Sequence, residues 1–109
     1  MVPIPRSLLT STATVRVLTE EGGRQGFAAP AELVGVRYEQ RASVRATDYQ
    51  LQDGTAGLLF VDATNTRGAF EIPAGSLVSV DGGPESCVAS CARYADGHGR
   101  THHWEVELR

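Results

Sequence analysis

The chain has 109 residues, 41% of them hydrophobic, and a formal net charge of −3 at pH 7. That length holds one small core and not two, and that hydrophobic share is ordinary for a globular protein, so the chain need not be disordered. The mild negative charge argues against free nucleic acid as the main partner, because nucleic-acid binders usually carry a strong basic excess.

Residues 1–10 read as an N-terminal arm. Pro3 and Pro5 fix φ on either side of Ile4 and stiffen it, and Arg6 to Leu9 fits a short helical turn. A first strand fits Thr12 to Leu18, with Ala13, Val15 and Val17 facing in. Glu20 to Gly26 is polar and contains glycine, so it reads as a turn or loop. A second strand fits Leu33 to Gln40, with Val34, Val36 and Tyr38 inward and Arg37 and Glu39 outward.

Residues 41–57 (RASVRATDYQLQDGTAG) form a long connection, read either as a loop or as a hairpin that extends its flanking strands. A third strand fits Leu58 to Asp62 and is apolar on both faces. Such a strand is buried on both sides or lies in a subunit interface. Further strands fit Leu77 to Asp81, Cys87 to Tyr94 and His103 to Leu108. In the last, Trp104, Val106 and Leu108 alternate with Glu105, Glu107 and Arg109, so these residues are expected in the core sheet. Gly and Pro punctuate the chain at short intervals and no stretch supports a long capped helix. About six strands in one domain, 1–109, predict a mainly β fold: a small antiparallel β-barrel.

No apolar run approaches the roughly 20 residues that span a bilayer. The opening MVPIPRSLL lacks the basic head and apolar run of a secretory signal, so the protein is expected to stay in the cytoplasm. Cys87 and Cys91, if both lie on one strand, are about 13 Å apart. That is too far for a disulfide, and free thiols are expected.

His98, His102 and His103 lie near Asp96, and with the two cysteines they offer zinc-ligand chemistry. They straddle a Gly-rich turn, however, and the consecutive pair on a strand points to opposite faces. No metal or cofactor is therefore assigned. There is no nucleophile elbow, zinc-protease motif, phosphate loop or dinucleotide fingerprint, so no catalytic residue is assigned. Arg37, Arg41 and Arg45 would share one face of an extended strand, as a basic stripe or as solvated charge balanced by Glu39. All ten basic residues are Arg, which suits bidentate contacts at protein interfaces and equally a GC-rich coding genome. With one Trp, three Tyr and three Phe, and with Trp104, Tyr38 and Phe60 assigned to the core, little is left for stacking on bases.

Several blocks carry a resemblance in order along the chain: PIPRSLLTSTATVRV (Pro3 to Val17), LLFVDATNT (Leu58 to Thr66), FEIPAGSLVSVDG (Phe70 to Gly82), RYADG (Arg93 to Gly97) and HHWEVELR (His102 to Arg109). The series resembles the minor capsid protein family of long-tailed bacteriophage neck gene clusters, whose members resemble head-closure, or stopper, proteins. The resemblance implies a structural component of the virion neck. It would form a ring of six or twelve copies below the portal and its adaptor, close the channel on packaged double-stranded DNA, and dock the tail terminator or tail tube. It also implies that the connection between the second and third strands reaches into the channel, making Thr47, Asp48, Tyr49, Gln50, Leu51, Gln52 and Asp53 the candidate plug.

A ring needs two different patches per subunit. The arm, through Ile4, Arg6, Leu8 and Leu9, and the apolar strand, through Leu58, Leu59 and Val61, are the expected interface residues. The alternatives are a tail terminator or other tail-completion protein, a small oligonucleotide-binding barrel showing salt-sensitive DNA binding, and a metal-dependent enzyme carrying stoichiometric zinc.

Overall fold

The computed structural model describes residues 2–40 and 57–109. After a 3-10 turn at Arg6–Leu8 come eight strands: β1 (Ser11–Arg16), β2 (Leu18–Glu21), β3 (Arg24–Phe27), β4 (Ala31–Gln40), β5 (Gly57–Asp62), β6 (Leu77–Val80), β7 (Glu85–Ala95) and β8 (Thr101–Leu108). Six of them close a barrel in the order β1-β4-β5-β8-β7-β6, with β6 returning to β1 and every neighbouring pair antiparallel. Closure pairs both edges of each strand and leaves the sheet without an open edge.

The period-2 pattern does what it predicts over most of the barrel. Ala13, Val15, Leu59, Val61, Val78, Val106 and Leu108 all point inward and are at most 2% exposed. Val17, Tyr38, Val80, Cys91 and Trp104 pack around them. Ile72 joins this core from the irregular segment between β5 and β6, and Ala69 and Phe70 pack beside it. The Trp104 indole donates to a Glu71 carboxylate oxygen at 3.2 Å, which ties this segment to β8.

β4 departs from the expected phase. Ser11 pairs with Val36 but Thr12 pairs with Val34, so Gly35 is an extra residue on β4. Its φ of +88° is open to glycine and costly to other residues. This bulge resets the alternation: Leu33 and Val36 are buried, and Val34, expected inward, is only half-buried.

Glu20 to Gly26, expected as a loop, is instead part of the β2–β3 hairpin, which stands apart from the barrel sheet. Its turn is Gly22-Gly23, with φ of 58° and 80°, the left-handed pair that matches strand twist in two-residue hairpins. Neither LTEE nor RQGF has an apolar face, so hydrophobic periodicity could not reveal them. Phe27 is instead covered on one side by Arg16, whose guanidinium carbon is 5.2 Å from the ring centroid.

Candidate functional site

The N-terminal arm is docked through polar groups. The Ile4 amide donates to Asp62 Oδ1 at 3.0 Å, and the Asn65 side-chain amide donates to the Ile4 carbonyl at 2.8 Å. Arg6 Nε donates to Asn65 Oδ1 at 3.3 Å, and His102 Nε2 donates to the Val2 carbonyl at 2.6 Å. Asp62 is fully buried at the end of β5, where its other oxygen accepts the amides of Thr64 and Asn65. The run Asp62–Thr66 thus forms a side-chain-stabilised turn that also receives the arm. Two prolines hold the arm extended, so little backbone freedom is lost on docking. Leu9 is buried, while Leu8 is 45% and Val2 80% exposed.

Beside the arm lies a groove of about 350 Å³ lined by Arg6, Leu9, Val34, Gly35, Asn65 and Arg67. It exists because the bulged edge of β4 bonds to the chain beyond β5: Val34 and Arg67 exchange amide-to-carbonyl bonds of 3.1 and 2.8 Å. Two arginines, Arg6 and Arg67, therefore line the groove together with Leu9 and Val34.

A second surface is the outer face of β4, β5, β8 and β7. Strand β5 alternates cleanly, so Leu59 and Val61, expected at an interface, are taken up by the barrel core at 0% exposure. Leu58 and Phe60 face outward instead; Phe60 was expected in the core. Leu58 sits in register between Glu39 on β4 and Glu107 on β8, and Phe60 between Arg37 and Glu105. Arg37 pairs with Glu39 at 3.1 Å. Rings extend the apolar stripe: Phe60 and His103 centroids are 6.3 Å apart, and His103 and Tyr94 are 4.9 Å apart and nearly parallel. Of the Arg37, Arg41 and Arg45 stripe, only Arg37 falls within the described residues.

The histidines do not form a metal centre, and among the described residues no group of three or more His, Cys, Asp or Glu could hold a metal ion. His98 lies in the β7–β8 turn, where Asp96 accepts the amides of His98 and Arg100 and its carboxyl is held below the usual range by these bonds. His102 and His103 do not point apart as alternation predicts. Their Nδ1 atoms are 2.8 Å apart, and His103 Nε2 is 3.0 Å from a Glu105 carboxylate oxygen. The reason is a second irregularity: Tyr94 pairs with His103 and Ala95 with Thr101, which leaves His102 without a register partner. Cys87 and Cys91 are free, and burial pushes the Cys91 thiol up, towards the protonated and unreactive form.

One end of the barrel holds the roots of the long connection. Gln40 and Gly57 are the last paired residues of β4 and β5, so the segment 41–56 joins two adjacent strand ends. A pocket of about 140 Å³ opens there, lined among others by Tyr38, Gln40, Ser86 and Leu108. The candidate plug residues Thr47, Asp48, Tyr49, Gln50, Leu51, Gln52 and Asp53 lie outside the described residues.

This arrangement holds a barrel, a docked arm, a groove and a half-buried apolar stripe among the described residues. A family model described as minor capsid protein matches residues 5–108. The chain belongs to the minor capsid protein family. Its match begins within the arm and ends on β8, so it takes in the barrel, the groove and the residues Asp62, Asn65 and His102 that receive the arm. Comparison with curated proteins and with solved structures found no match in either. Membership makes this minor capsid protein a structural component of a phage virion. Among the described residues, no helix is long and apolar enough to cross a membrane.

Proposed function

We propose that this minor capsid protein is a neck component: copies form a ring below the portal and adaptor, close the channel on packaged DNA, and present the surface on which the tail docks. The observation that carries the reading is the family match over residues 5–108, taken with the ordered neck-protein resemblance of its blocks. The geometry supports it. Both roots of the 41–56 connection, Gln40 and Gly57, lie at the same barrel end, so a ring with that end turned inward points those roots toward the channel. The mechanism is steric and electrostatic and needs no covalent chemistry.

The test is electron microscopy of a lysate from the parent phage with this gene disrupted. Full-size, tailless heads that have lost their DNA support head closure. Tails of abnormal length, or tailless heads that hold their DNA, transfer the role to tail completion. Normal virions sink the neck reading. Deleting residues 47–53 then tests the plug: heads that still retain DNA and join tails normally exclude it.

A further inference from the structure

The groove is lined by two arginines, the β5 surface flanks Leu58 with two glutamates, and neither uses a residue of the other. We propose that they are the two halves of one contact between copies of this chain: the Arg6–Arg67 groove of one copy receives the Leu58 stripe of the next.

Leu58, half-buried on the outer face of β5, has Glu107 on one side and Glu39, itself paired with Arg37, on the other. The groove combines apolar Leu9 and Val34 with the two arginines, Arg6 and Arg67. Among the described residues, neither Arg67 nor Glu107 takes part in an ion pair. An Arg fork facing a carboxylate forms two parallel hydrogen bonds, which fix orientation as well as hold charge.

The occupant is a second copy because the chain itself carries both patterns. The groove lies over the start of β4 and the turn after β5, while the stripe lies over β5 and β8. Distinct patches on one subunit make a head-to-tail contact, the kind that closes into rings. The inference rests on the ring reading of the neck function and specifies its interface.

The test is sedimentation velocity of the full chain as wild type, Arg67→Glu, Glu107→Arg and the double reversal, with thermal unfolding as a check that each remains folded. The expected result is concentration-dependent association of the wild type, weakened about tenfold or more by each single reversal and restored by the double. A wild type that stays monomeric up to about 1 mM, single reversals that associate like wild type, or a double reversal that fails to recover would each overturn the contact. None of these decides the neck reading, which stands or falls on the gene-disruption lysate.

Discussion

Asp62 shows how much one residue organises. Its carboxylate is fully buried yet accepts three backbone amides, from Ile4, Thr64 and Asn65. Its own amide donates to Thr66 Oγ1 at 2.9 Å, and that hydroxyl donates on to the Gly35 carbonyl. Turn, bulge and arm therefore share one polar hub. Asp62→Ala leaves three donors without acceptors and is expected to cost about 2–4 kcal/mol, since each stranded buried group forfeits its desolvation. Asp62→Asn keeps a carbonyl acceptor and loses less. Urea unfolding measures the cost, and hydrogen exchange at the Ile4 amide reports release of the arm, which is expected in the Ala variant. The Asp-x-Thr-Asn run is readable as a turn, but nothing in it announces that the arm, 58 residues earlier, supplies the remaining donor.

At the scale of the element, β5 separates two roles that its composition blurs. Gly57–Asp62 looks apolar on both faces, yet Leu59 and Val61 fill the core while Leu58 and Phe60 face out. Leu59→Ala is expected to destabilise by about 2–5 kcal/mol through lost burial and the cavity left behind. Leu58→Ala is expected to change stability by no more than about 1 kcal/mol. Chemical denaturation of the two variants side by side checks the assignment, and equal losses would contradict it. All six barrel strands were legible, most because a half-buried strand alternates and β5 as a short apolar run between turn residues. The β2–β3 hairpin was not, because its pairing rests on a Gly-Gly turn and a cation–ring contact. The bulges were not, because an extra residue shifts the register without changing composition.

For the molecule as a whole, closure distributes stability around a ring of strand pairs, and exposed carboxylates pin the connections. Asp81 accepts the Thr12 amide at 2.9 Å, and this bond first, then one from Ser11, holds its carboxyl below the ordinary range. Glu85 is lowered chiefly by its bond from Arg16, which reaches both carboxylate oxygens at 2.7 Å. Asp96 is lowered by the amide of His98 and then that of Arg100. A carboxyl depressed in the folded state contributes stability above its unfolded pKa of about 4 and loses it as pH falls through the lowered folded value. The melting temperature is therefore expected to hold above about pH 5 and to fall progressively below about pH 4. Calorimetry across that range checks it, and a rise on acidification would contradict it. Each group is solvent-exposed, so each share is small.

The sequence by itself determined that this is a small β-barrel with one core, and the order of its blocks carried the family. Both are properties of local pattern: strands alternate at period 2, and turns need Gly, Pro and Asp at fixed places. The tertiary structure alone decided which face of β5 is buried, where β4 changes phase, and that the arm closes onto Asp62, Asn65 and His102. It alone placed Arg67 beside Arg6 at one groove. These are meetings between residues far apart in the chain, set by closing the barrel, and spacing along a sequence does not encode them.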